Sequence, residues 1–95
     1  MITAITTWTI KPGIGSVFST VFNDLAIETK KEAGCISYRV YQDQQDLELY
    51  YVIAEWKSEA AMQQHRISEH YQQGAAVAAK MLVKEPHDHI CKQVL

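Results

Sequence analysis

His65 and His70 are the side chains of this sequence best suited to moving a proton near neutral pH, because an imidazole titrates at about 6.5. His65 falls one turn beyond Ala61 and Met62 in a short striped segment, so it is expected to point toward the sheet. His70 opens the next helical segment, where the positive end of the dipole would lower its pKa and favour the neutral base. The alternative for each is structural: a ring that satisfies backbone groups at the break between two helices. Glu55 is the one carboxylate in an apolar strand and shares a face with Tyr51 and Ile53. A buried carboxylate needs a partner, either a histidine that it orients or a backbone group or helix cap. Trp56, Tyr50, Tyr38 and Tyr71 could wall an aromatic ligand while each presents one polar atom. Trp56, Tyr50, Tyr38 and Trp8 suit the core or an interface between copies better than a ligand contact.

A metal centre is not expected. His87 and His89 share one face of a strand with Asp88 on the other, and a cap separates His65 from His70. Cys35 and Cys91 are too few and too far apart for a disulfide framework or a zinc knuckle, and are read as reduced thiols.

These residues sit on elements that the patterning makes legible. Ile2 to Ile10 alternates with period two, with Ile2, Ala4, Trp8 and Ile10 on one face, and Lys11-Pro12-Gly13 stops the strand. Val17, Phe18, Val21, Phe22 and Leu25 then form a helical stripe, with Ser16 as its expected N-cap and Gly34 following the charged end Lys30-Lys31-Glu32. Cys35 to Gln42 reads as a strand with Ile36, Tyr38 and Val40 on one face. Asp43-Gln44-Gln45-Asp46 is a connection of hairpin length, and Leu47 to Trp56 is a third strand. Ser58 caps a short helix carrying Ala61, Met62 and His65. Ser68 caps another carrying Tyr71, Ala75, Ala78 and Leu82. Pro86 ends the helical region, and His87 to Leu95 reads as the last strand.

The order β-α-β-β-α-α-β is that of an α+β, ferredoxin-like βαββαβ fold with its second helix split, one antiparallel four-stranded sheet carrying helices on a single face. The third strand adds a requirement. Leu47, Leu49, Tyr51 and Ile53 point one way while Tyr50, Val52, Ala54 and Trp56 point the other. A one-sided sheet should be polar on its open face, so a second copy is the simplest cover and a homodimer is expected.

Composition narrows the function classes. The 95 residues suffice for one core but not for separate cofactor and substrate domains, so residues 1–95 are read as one domain. Net charge is −2, and Lys30-Lys31 is the only adjacent basic pair, so no stripe suits nucleic acid. No apolar run is long enough to span a bilayer. The start, Met1-Ile2-Thr3-Ala4-Ile5, lacks a charged region before an apolar stretch, so the cytoplasm is the expected location.

In order and spacing, several segments together are similar to one family. They are Pro12-Gly13, Gly34-Cys35-Ile36-Ser37-Tyr38, Glu55-Trp56, Lys57-Ser58-Glu59-Ala60-Ala61, His65 and His70-Tyr71. On these the chain resembles the antibiotic biosynthesis monooxygenase (ABM) family, small dimeric α+β-barrel proteins that include quinol monooxygenases. Glu69 stands where that family often has Pro. Thr6 and Ala75 stand where its haem-degrading branch has Asn and His, so haem chemistry is not implied. The resemblance implies oxidation of a small acidic phenol or quinol by O₂ without cofactor, the substrate supplying the electrons. Such a reaction needs a base, an apolar pocket and hydrogen bonds for a developing oxyanion. For that chemistry the candidate catalytic residues are His65, His70 and Glu55, and the candidate substrate contacts Trp56, Tyr50, Tyr38 and Tyr71. Two other functions fit the same fold. One is an isomerase or degrading enzyme for a small phosphorylated signal, using Arg39, Arg66 or Lys80 for the phosphate; the other is a non-catalytic ligand-binding dimer.

Overall fold

Period-two alternation carries the first segment into β1 (Ile2–Thr9), a central strand of the sheet in the computed structural model of residues 1–95. It is followed by α1 (Gly15–Lys30), β2 (Cys35–Gln42), β3 (Leu49–Trp56), α2 (Glu59–Arg66), α3 (Glu69–Ala79) and β4 (His87–Lys92). The strand order is β2-β3-β1-β4 with every neighbour antiparallel, which is the expected ferredoxin-like arrangement with a divided second helix. Cys35 and Cys91 therefore lie on opposite edge strands, both as free thiols.

The core lies between the sheet and the helices. Ala4 and Trp8 of β1, Tyr38 of β2, and Tyr50, Val52, Ala54 and Trp56 of β3 are buried against Phe18, Phe22 and Leu25 of α1, Met62 of α2 and Ala78 of α3. Trp8, Phe18, Phe22 and Tyr50 form an aromatic cluster of tilted and edge-on contacts, the contacting ring centroids 4.6–6.3 Å apart. Burying four such rings supplies much of the driving force for seating α1 on the sheet.

Local chemistry moved several boundaries. Gly13 has φ +84°, a conformation glycine adopts without penalty, and that turn starts α1 at Gly15 with Ile14 as N-cap instead of Ser16. Ser58 and Ser68 do cap α2 and α3, accepting hydrogen bonds from Ala61 N (3.1 Å) and Tyr71 N (3.3 Å). Leu47 lies outside β3, because Asp43 organises a longer loop. Its carboxylate accepts from the backbone N–H of Gln45 and Asp46 and from the Tyr51 hydroxyl, while the Gln42 amide donates to the Leu47 carbonyl. A register shift between Cys35 and Ser37 sets two residues of β2 against one of β3. Ile36 is the extra residue and is exposed, so it does not share the face of Tyr38, while Cys35 packs against the core. Leu82 lies beyond α3 and bridges Ile10, and β4 ends at Lys92 instead of Leu95.

The opposite face of the sheet carries no helix. By register it presents Thr3, Ile5 and Thr7 of β1, Arg39 and Tyr41 of β2, and Leu49, Tyr51 and Ile53 of β3. His87 and His89 of β4 also lie on it, their rings stacked at 4.4 Å.

Candidate active site

The break between α2 and α3 is built by one serine. Ser68 caps α3, and its hydroxyl also donates to the His65 carbonyl (2.6 Å) at the end of α2. The chain therefore turns within two residues, Ile67 and Ser68, and brings the rings of His65 and His70 to 5.8 Å. Gly34 holds α2 against the start of β2. A Cβ there would come 2.3 Å from the Ala61 Cβ, and its carbonyl accepts from Lys57 N (2.9 Å).

Both rings converge on Glu32, just beyond the C-terminal end of α1. One oxygen, Oε2, lies 2.7 Å from His65 Nδ1 and 2.8 Å from His70 Nε2. A carboxylate can only accept, so His65 donates from Nδ1, and in the neutral ring Nε2 then carries the lone pair. Ser68 Oγ lies 3.2 Å from His70 Nε2 but has spent its one proton on the His65 carbonyl. His70 must therefore donate from Nε2, and Glu32 and Ser68 share that proton.

His65 is buried, its ring 4.7 Å from that of Trp56 and 4.8 Å from that of Tyr71. Burial lowers its pKa below 6.5. The bond and charge of Glu32 act in the opposite direction, and the charges of His70 and Arg66 add to the lowering. Near pH 7 His65 is thus a neutral imidazole held in one tautomer, the arrangement a carboxylate–histidine pair uses to prepare a general base.

Its free edge meets a cavity of about 140 Å³ between sheet and helices. The walls are mostly apolar and aromatic, including Trp8, Phe22, Leu25, Val52, Trp56 and Met62. Polar atoms come from Tyr38, His65 and Tyr71 and, separately, from Thr6, Arg66 and Asp88. Burial, followed by the neighbouring Tyr71, pushes the Tyr38 phenol far above its ordinary range, so it stays a proton donor. Thr6 and Ala75 both line the same cavity.

Of the residues singled out from sequence, His65, Tyr38, Trp56 and Tyr71 meet at this cavity, and His70 stands behind His65. Glu55 does not. The alternation of β3 puts it on the open face of the sheet, where it accepts from Ser37 Oγ at 2.6 Å, so it cannot orient either histidine. Tyr50 is core: it packs on Phe18 at 4.8 Å, accepts from the Gln42 amide, and does not line the cavity. Glu32, read only as part of a charged helix end, is the carboxylate that holds both rings. The sequence did carry a signal for it, since an acid beyond a helix C-terminus faces the negative end of the dipole and needs a reason to be there.

Glu32, His65 and His70 are also the one cluster placed to hold an ion, with ligand atoms within 4.8 Å of one another. Two ligands of a tetrahedral ion with bonds of about 2.0–2.1 Å lie about 3.3 Å apart. The 2.7 and 2.8 Å separations here are those of hydrogen bonds, so an ion would have to displace both protons and spread the cluster.

Comparison with known proteins places the sequence and the fold in one family. The family model for antibiotic biosynthesis monooxygenases matches residues 1–77. A conserved protein from Methanosarcina mazei Go1 is 31% identical and superposes with a TM-score of 0.95, covering 98% of this chain and 92% of that one. A protein from Pseudomonas aeruginosa is 26% identical with a TM-score of 0.89, over 99% and 94% of the two chains. The crystal structure of an antibiotic biosynthesis monooxygenase, 23% identical, matches the whole of both chains with a TM-score of 0.94, a likeness of fold. No curated protein matches the sequence. A match from the first strand through the two-histidine break and most of α3, with the same fold from end to end, makes this chain a member of the antibiotic biosynthesis monooxygenase family.

Proposed function

We propose that this protein is a cofactor-independent monooxygenase that oxidises a small phenol or quinol with O₂ and works as a homodimer. The observation that carries the reading is His65, neutral, tied through Nδ1 to Glu32 and lining a small apolar cavity beside two tyrosines. Removing a phenolic proton turns the ring into a far better reductant, and His65 Nε2 is the acceptor for that proton. The Tyr38 hydroxyl, protonated throughout, can donate to the oxyanion as charge develops. The ring then supplies the electrons that reduce O₂. One oxygen atom joins the ring and the other leaves as water, so that phenol plus O₂ balances as quinone plus water. Apolar walls keep bulk water from the anion and strengthen each of these interactions.

The phosphorylated-signal alternative has less support. Arg39 lies on the open face of the sheet and Lys80 just past α3, so of the three basic residues only Arg66 lines the cavity. The dimer rests on the uncovered sheet face, where Leu49, Tyr51 and Ile53 are only half-buried by the chain's own atoms. No helix is long and apolar enough to cross a membrane. The two free thiols suit a reducing compartment such as the cytoplasm.

The test is quinol-dependent oxygen uptake by His65→Ala. The rate should fall about a hundredfold to ten-thousandfold, the usual worth of a positioned base. Quinone binding, followed by fluorescence of Trp8 and Trp56, should survive. An unchanged rate in a folded His65→Ala protein would remove the base assignment.

A further inference from the structure

The cavity has a second polar cluster that the proton transfer does not use. Arg66, the last residue of α2 and the neighbour of His65, lines it, as does Asp88 of β4. Asp88 stands opposite Thr6 in the β1–β4 ladder; it accepts from Thr6 Oγ1 at 2.9 Å and from an Arg66 terminal nitrogen at 2.5 Å. That is the guanidinium's only hydrogen bond within the chain, so one of its five N–H donors is engaged. Both side chains are about one-third exposed (32% and 33%), which puts the pair at the rim of the cavity. An ion pair so exposed contributes little and is readily exchanged.

We propose that Arg66 is the anion-recognising residue of this cavity, and that the ligand is a single-ring hydroxylated aromatic bearing a carboxylate. Asp88 is the internal competitor that neutralises Arg66 while the cavity is empty. The inference rests on reading the cavity as the substrate site. Its size sets the ring count: an apolar cavity of about 150 Å³ accepts one benzene ring, and this one measures about 140 Å³. Its charge sets the substituent. One guanidinium released from Asp88 matches the charge and the planar, two-oxygen geometry of a carboxylate, whereas a phosphate dianion would add a further uncompensated charge beside Asp88. Consecutive residues, His65 and Arg66, present base and anchor to the same space, so a ring held by its carboxylate at Arg66 can direct a hydroxyl toward His65. Part of this rim, Pro86 and Asp88, comes from beyond the residues matched by the family model, where selectivity can vary without touching the histidine break.

The experiment compares binding of 4-hydroxybenzoate, phenol and phenyl phosphate to the intact protein by titration calorimetry and tryptophan fluorescence. The wild type should bind 4-hydroxybenzoate about tenfold or more tighter than phenol, as expected for a charge-assisted bond. Arg66→Gln should bring that ratio close to one. Asp88→Asn should raise it several-fold by removing the competitor, an increase that misfolding cannot mimic. Equal loss of both ligands in Arg66→Gln, or a ratio untouched by either substitution, would overturn the anion assignment while leaving the aromatic cavity standing. Tighter binding of phenyl phosphate than of 4-hydroxybenzoate would overturn the carboxylate in favour of a phosphorylated ligand. Failure of all three to bind would overturn the aromatic reading of the cavity, and this proposal with it.

Discussion

Replacing Glu32 by glutamine removes one negative charge and almost no volume, and its effect separates two roles the carboxylate plays at once. Oε2 accepts from His65 at 2.7 Å and from His70 at 2.8 Å, and His65 is almost wholly enclosed. Exchanging a charge-assisted bond for a neutral one in such a setting loses about 1–1.5 kcal/mol, or about tenfold in rate if the bond strengthens as His65 takes up a proton. A second loss follows from the amide itself. If the NH₂ of the substituted side chain turns toward His65 Nδ1, that nitrogen must accept, the proton moves to Nε2, and the cavity faces a donor where a base is needed. Wherever that rotamer dominates, the loss approaches the full worth of the base, so the plateau rate of Glu32→Gln should fall between about tenfold and ten-thousandfold. The pH profile should move in the less obvious direction. Glu32 raises the His65 pKa against burial, so losing its charge lowers that pKa further and shifts the acid limb of kcat/KM to lower pH. Oxygen-electrode rates from about pH 5 to 9, spanning the histidine range, test both effects together. A plateau unchanged from wild type, or an acid limb displaced upward, would refute the assignment of Glu32 as the group that holds His65 in its basic tautomer.

Three further perturbations read other parts of the molecule. Ile53→Asp sets a charge in the middle of the uncovered sheet face and should give monomer or insoluble protein in sedimentation, where the wild type should sediment as a dimer. Gly34→Ala drives a methyl to 2.3 Å from the Ala61 Cβ, far inside the roughly 3.5–4.0 Å of normal carbon contact. It should cost about 1–3 kcal/mol, visible as a lower melting midpoint, and Ala61→Gly should recover part of the loss. Stability should also depend on pH through His65, whose folded pKa is held below 6.5 by burial. Below pH 6.5 the unfolded chain binds a proton that the folded chain still refuses, so stability is complete above that value and declines as pH falls toward the folded pKa. Melting midpoints should decrease on acidification through this window, and His65→Asn should flatten the decrease.

The elements were legible wherever one periodicity acted alone. The stripe of Phe18, Phe22 and Leu25 and the two-faced β3 read directly, as did the serines that cap α2 and α3. Boundaries failed where a side chain competed with the pattern. Asp43 captured backbone donors that would otherwise extend the hairpin, and a one-residue bulge reversed the phase of Ile36. At the site, His65 and His70 were visible because their type and place in the α2–α3 break limit what they can do. The carboxylate was misplaced for a reason of topology. Glu55 is near His65 in sequence but on the far side of the sheet, whereas Glu32 is 33 residues from it and reaches it because α1 ends beside the break. Asp88 had no local signal; only the register of β4 on β1 brings it to the cavity.

The bulge in β2 and the shortness of β4 have a consequence for how copies of this chain can meet. A sheet with two free edges offers backbone donors and acceptors to any passing strand, and uncontrolled pairing there leads to open-ended aggregates. Here one edge strand is kinked by an extra residue, and the other is six residues long with a charge at Asp88 and another at Lys92. Neither is a good template for another strand. The apolar surface left uncovered lies on the broad face between them, centred on Leu49, Tyr51 and Ile53. In the proposed dimer, association would thereby be directed to a surface that two copies can close between themselves, and away from one that would admit a third.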